Sequence, residues 1–125
     1  MTLKSELGNY GEDLACEYLV NNKYRIIERN YKKPWGEIDI VAIDPDKTLV
    51  FIEVKTLRDS VNFGLKPEDQ LTSSKLKKVA RTASLYSNAN QGLINKTRGW
   101  RIDLIAITLN NADSPTISHY KNISI

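Results

Sequence analysis

Two carboxylates and a lysine, Asp39, Glu53 and Lys55, stand in a pattern that chemistry can use. They fall between Gly36 and Leu57, where two apolar, β-branched runs flank Asp44-Pro45-Asp46-Lys47. Such runs around a turn-forming tetrapeptide predict a β-hairpin. Closing the loop at residues 45–47 pairs Asp44 with Thr48, sets Asp39 across from Glu53, and sets Glu37 across from Lys55. Directly opposed side chains have Cβ atoms about 4.5–5.5 Å apart, and like charges there are destabilising. A hard divalent cation turns that repulsion into a binding site, and a lysine beside it can meet a phosphate. A register shifted by two would hold the acids further apart, so the predicted site depends on this pairing.

The hairpin must also supply the core. Side chains alternate between the two faces of a strand. Ile38, Ile40, Ala42, Val50, Ile52 and Val54 are therefore expected on one face. The other carries Val41, Ile43, Leu49 and Phe51 near the turn, with Glu37, Asp39, Glu53 and Lys55 at the far end. A slip of one residue would drive carboxylates into the core, which fixes the register.

Upstream, residues 3–21 read as a helix, with Leu3, Leu7, Tyr10, Leu14, Tyr18 and Leu19 recurring at spacings of three and four. Glu12 is open to two readings, a solvated helix residue or a buried functional acid. It shares a stripe with Gly8, Ala15 and Leu19, and Gly11 adjoins it. Each glycine inside a helix costs on the order of 1 kcal/mol against alanine, so something is expected to approach this surface closely. Residues 24–31 read as a strand that leads through Lys32-Lys33-Pro34-Trp35 into the hairpin. A basic pair beside an aromatic can touch a nucleic-acid backbone and stack a base; the preferred expectation is a loop whose Trp35 packs on the domain.

Downstream, Arg58 follows the strand end of Lys55 and so falls near the predicted site, at the head of a loop reaching Lys66. A second helix starts at Pro67-Glu68-Asp69 or at Thr72-Ser73 and runs to about Ser87, burying Leu76, Val79, Ala80, Ala83 and Tyr86. Lys75, Lys78 and Arg81 recur every third residue as one basic ridge suited to phosphate, with Lys77 on the solvated face. Residues 100–109, mostly apolar on both faces, predict an interior strand. Its Asp103 either supports the site or pairs with Arg101 or another arginine. A last strand spans residues 116–123, and its His119 reads as structural, since no second ligand stands at a recognisable spacing.

With 125 residues the chain is expected to form one domain, residues 1–125. The single cysteine, Cys16, removes thiolate zinc sites and fits a reducing cytosol. A single histidine removes chemistry that needs two imidazoles. No apolar run is long enough to span a membrane, and the first residues lack the apolar core of a secretory signal, so the expected location is cytoplasmic. The net charge of +3 is unevenly spread: residues 1–57 carry 8 basic and 10 acidic side chains, residues 58–125 carry 10 and 5. A half that holds the acids, joined to a basic half, suits a phosphodiester substrate.

The order helix, three strands, helix, two strands, with thirteen residues between Asp39 and Glu53-Val54-Lys55, resembles the PD-(D/E)XK nuclease superfamily. It is most similar to the YraN-like family of small bacterial endonuclease-like proteins, themselves similar to Holliday-junction resolvases. Gly8 with residues 11–15, Asn30-Tyr31, residues 36–40 and 51–56, Phe63-Gly64, Lys75, Tyr86 and residues 101–103 match its landmarks in order. Ile38 stands where the superfamily name has proline, a position without a chemical role. The resemblance implies an α/β fold of restriction-endonuclease type, a mixed sheet of about five strands flanked by helices. It further implies that Asp39 and Glu53, with the Val54 carbonyl, bind Mg²⁺ or Mn²⁺. Lys55 would orient the attacking water or neutralise charge on the phosphate. Glu12 would sit beside the metal or hold its water. Arg58, Lys75, Lys78 and Arg81 are the expected nucleic-acid contacts. The partner is expected to be DNA, branched or junction DNA included, and paired cuts across a junction imply a homodimer. Two rivals stand beside this reading: a nucleic-acid-binding module of the same fold without turnover, and an interaction domain in which Glu37 and Lys55 close a structural salt-bridge cluster.

Overall fold

A computed structural model describes residues 3–58, 71–109 and 115–123, with side chains described from residue 7 onward and not at Arg58. The elements are α1 (Leu3–Asn21), β1 (Arg25–Lys33), β2 (Gly36–Ile43), β3 (Leu49–Arg58), α2 (Ser73–Ala89), β4 (Trp100–Leu109) and β5 (Thr116–Tyr120). The strands form one mixed sheet in the order β1-β2-β3-β4-β5, parallel only between β3 and β4. A parallel pair needs a crossover connection, and α2 lies in it. Element order and the helix-flanked mixed sheet agree with the expectation from sequence. The last strand is shorter than expected. Asn122 takes a left-handed φ of 54° and gives its N–H to the Asp103 carboxylate, while the Ile123 N–H bonds Ile102 O. Pairing therefore stops at Tyr120.

Each face of the sheet carries one apolar cluster. Ala15 and Leu19 of α1 pack with Ile40, Ala42, Val50 and Ile52. Leu76, Val79 and Tyr86 of α2 pack on the other side with Val41, Leu49 and Phe51. Strand alternation thus feeds both cores, as an interior sheet requires.

The first helix meets the sheet through part of its expected apolar stripe, Leu14, Tyr18 and Leu19, joined by the small residues Gly11 and Ala15. Gly11, Ala15 and Leu19 are buried, whereas Tyr10 is 49% exposed. A Cβ added at Gly11 would lie 1.8 Å from Thr56 Oγ1, so α1 rests directly on β3 and only glycine fits there. This close approach turns Tyr10 outward. Nothing comparably close faces Gly8. At α2, Thr72 is the cap, its Oγ1 accepting the Lys75 N–H at 3.2 Å; the alternative start at residues 67–69 lies outside the described residues.

Asp103 is fully buried and surrounded by donors. Arg101 Nε donates to its Oδ1 at 2.9 Å, the Asn122 N–H reaches the same oxygen, and His119 Nε2 lies 2.7 Å from Oδ2. His119 Nδ1 is in turn 2.9 Å from the Tyr18 hydroxyl, and Arg101 also bonds Asp44 at 2.7 Å. Burial alone would raise the Asp103 pKa, but His119, Arg101 and the Asn122 N–H outweigh it and hold the carboxyl below its ordinary value. Asp103 and His119 therefore fasten β5 and α1 to β4. No helix among the described residues is long and apolar enough to cross a membrane.

Candidate active site

The hairpin closes as its turn chemistry predicts, with the Asp44 N–H bonded to Thr48 O at 2.9 Å. The ladder runs Ile43↔Leu49, Ala42↔Val50, Val41↔Phe51 and Ile40↔Ile52, then stops where Asp39 meets Glu53. Beyond that point side chains replace the ladder. The Val54 N–H donates to Asp39 Oδ2 at 2.8 Å, and the Asp39 N–H donates to Glu53 Oε2 at 3.2 Å. The two acids therefore occupy a fork between β2 and β3.

The fork has a local cause in the neighbouring strand. Asn30 adopts φ 53°, a left-handed conformation that asparagine tolerates better than most residues. The paired residues around it are Arg29↔Ile40 and Tyr31↔Ile38, so Asn30 and Asp39 form the gap in the β1–β2 ladder. Both strands twist across this gap. Arg29 reaches Asp13 on α1 at 2.8 Å, while Tyr31 packs edge-on against Tyr86 of α2, ring centroids 5.0 Å apart. Ile40 likewise lies in the α1 core but Ile38 in the α2 core. The expectation that Ile38 shares a face with Ile40 is thereby corrected: simple alternation fails where the strand turns to aim Asp39 at β3.

A cavity of about 270 Å³ opens at the fork, lined by Asp39, Glu53, Val54, Lys55, Lys75 and Leu104, among others. Burial, and then the charge of Asp39, push the Glu53 carboxyl up to about 8. Burial lifts Asp39 as well, against the Val54 N–H, which favours its charged form. Lys55 is pushed below its ordinary value by burial and then by Lys75, with the two acids pulling the other way. Glu12 projects from α1, half-buried, and its carboxyl is raised by burial and by the charge of Asp39. Its Oε1 is buried without a hydrogen-bond partner, with Arg29 Nη2 at 3.9 Å. A buried carboxylate oxygen without a donor is costly unless something else satisfies it.

Asp39, Glu53 and Lys55 are thus brought together at one cavity, and Glu12 of α1 lies near enough for charge to act between it and both acids. Lys75 lines the same cavity, while Lys78 and Arg81 lie exposed farther along α2. The side chain of Arg58, and Phe63 and Gly64, lie outside the described residues. Glu37 does not face Lys55, because the hairpin has already forked; it pairs in register with Lys32 of β1. Among the described residues no ion pair joins Lys55 to a carboxylate. Trp35, expected to pack on the domain, is 47% exposed, because its two-residue turn projects past the sheet. Arg29 and Thr56 carry weight that their spacing did not signal, Arg29 as the cation beside Glu12 and Thr56 as the seat for Gly11.

Among the described residues no three His, Cys, Asp or Glu side chains converge closely enough to hold a metal ion alone. Two carboxylates do converge, and a hard ion such as Mg²⁺ keeps several waters and takes only one or two carboxylates plus substrate phosphate. The all-oxygen donor set of Asp39 and Glu53, two buried acids facing each other in one cavity, fits such an ion.

Comparison with known proteins gives a consistent family. Residues 11–107 match the uncharacterised protein family UPF0102. A UPF0102 protein of Geobacter sulfurreducens is 42% identical over 116 residues, covering 93% of this chain and 86% of the relative. One of Paenarthrobacter aurescens is 40% identical over 123 residues, covering 98% and 97%. One of Persephonella marina is 40% identical over 115 residues, covering 92% and 90%.

Proposed function

The chain belongs to the UPF0102 family, in agreement with the YraN-like motifs, and from the chemistry of its forked hairpin we propose that it is a metal-dependent endonuclease acting on DNA. The observation that carries this reading is the buried acid pair, Asp39 and Glu53, each held by a single backbone N–H in one cavity with Lys55. Asp39 and Glu53, with the Val54 carbonyl, would hold Mg²⁺ or Mn²⁺. When bound, such an ion lowers the pKa of its water and neutralises charge on the phosphate. Glu53, raised to about 8 in the free protein, would release its proton to solvent in order to ligate a cation as the carboxylate. The Val54 N–H holds Asp39 in place from the backbone. Lys55 supplies the donor that orients the nucleophile or meets the charge developing on the phosphate oxygens. Lys75, across the cavity, binds a flanking phosphate, and Glu12 offers its free oxygen to a water at the reacting centre.

The test is a cleavage panel at low salt with Mg²⁺ or Mn²⁺, offering supercoiled plasmid, single strand, flap and four-way junction to wild type and Lys55→Ala, with chelator controls. Metal-dependent cutting, reduced at least about 100-fold in the variant, is expected. Absence of cutting on every substrate, with junction binding retained, would replace the enzyme by a binding module of the same fold.

A further inference from the structure

The turn between β1 and β2 is pinned to α2. A Cβ added at Gly36 would lie 2.0 Å from Thr82 Oγ1, so backbone and helix touch at that point. The Thr82 hydroxyl itself donates to Lys78 O. This contact brings the turn that carries the exposed Lys33 and Trp35 against the stretch of α2 that carries the exposed Lys78 and Arg81. The helix carries four basic residues, Lys75, Lys77, Lys78 and Arg81, and no acid. Among the described residues none of these cations, nor Lys32 or Lys33, is in an ion pair. Lys33 instead stands 5.8 Å from the Tyr31 ring centroid. The two exposed tryptophans differ: Trp100 is braced edge-on against Phe51 at 5.4 Å, whereas Trp35 stands at the tip of a two-residue turn with lysines behind it.

We propose that this turn and the basic side of α2 form one nucleic-acid-binding surface on which Trp35 stacks an unpaired base, so that the preferred substrate carries unpaired nucleotides beside the cleaved phosphate. The inference rests on the nuclease reading and names its substrate class. Unpaired lysines and arginines supply sequence-independent attraction to phosphates, and an exposed aromatic among them supplies a stacking platform that any base can use. Trp35, in the turn, precedes Asp39 of β2 by four residues, so their Cα atoms are no more than about 14 Å apart. At about 3.4 Å per stacked nucleotide that separation spans at most about four positions between the stacked base and the reacting phosphate. A fully paired duplex has no base to offer at that point; a splayed arm, flap or junction does.

The test is fluorescence polarisation in chelator with a forked duplex, the matched full duplex and their RNA counterparts, for wild type, Trp35→Ala and Lys33→Glu/Lys78→Glu. Melting curves verify that each variant folds. Wild type is expected to bind the fork at least about 5-fold better than the duplex. Trp35→Ala should erase that preference, since a stacked base contributes about 5- to 150-fold in affinity, and leave duplex binding within about 2-fold. The double charge reversal should weaken every ligand and flatten the salt dependence. A fork preference in either sugar chemistry, lost with Trp35, supports the proposal. Equal binding of fork and duplex, or a preference that survives Trp35→Ala, overturns it while leaving the nuclease reading to the cleavage panel. Failure of wild type to bind any nucleic acid overturns both.

Discussion

Two buried acids in the same sheet are treated in opposite ways. Asp103 is fully buried, yet Arg101, His119 and the Asn122 N–H surround it, and its carboxyl is held below the ordinary range. Glu53 is less buried, yet its carboxyl is driven up to about 8, because burial is joined by the charge of Asp39 and only one backbone N–H reaches it. A carboxylate that serves the fold is neutralised on every side. One left facing a like charge costs stability and needs another reason to be there. The difference separates a fastening from a site.

The comparison breaks most visibly by removing the fastening. Asp103→Ala leaves Arg101 and His119 without their shared partner and should lower the unfolding free energy by about 3–5 kcal/mol, measured by urea denaturation at pH 7. A smaller loss, about 1–3 kcal/mol from overpacking, is expected for Gly11→Ala, whose Cβ meets Thr56 Oγ1. That variant should also lose cleavage, because lifting α1 withdraws Glu12 from the fork. Thr56→Ala in the same chain should restore part of both.

Opposite in sign is the effect of Glu53→Gln on the metal-free protein. Folded Glu53 keeps a proton that the unfolded chain has released between about pH 4.5 and about 8, so wild-type stability falls as pH rises through that window, and the raised Asp39 adds to the fall. The glutamine variant escapes the Glu53 part. It should match wild type near pH 4.5 and exceed it by about 4 kcal/mol at pH 8, read from melting temperatures across the range. A variant that is equally destabilised at both ends would place Glu53 with Asp103, as a structural acid.

How much of this was legible in the sequence follows from range. The Asp44–Lys47 turn fixed the hairpin register, and the register put Asp39 beside Glu53, because both are local consequences of loop length and alternation. What local pattern could not reveal is the twist at Asn30 and Asp39, which sends Ile38 to the α2 core and opens the fork. A left-handed asparagine inside a strand leaves no trace in a period-2 reading. The stripe of α1 was legible at Leu14, Tyr18 and Leu19 but not at Tyr10: hydrophobicity favours Tyr10, while the contact there is made by Gly11 and Ala15, chosen for closeness. Trp35 stands outside because the turn projects, a property of its place at the sheet's end rather than of its type.

The most direct measurement is calorimetric titration of Mn²⁺ into wild type, Asp39→Asn and Glu53→Gln at pH 7.5, in two buffers of different ionisation enthalpy. The acid pair predicts a specific Mn²⁺ site in wild type, proton release on binding because Glu53 starts protonated, and affinity at least about 10-fold weaker in each variant. Absence of binding by wild type, or binding unchanged in both variants, would contradict the assignment of Asp39 and Glu53 as a cation site.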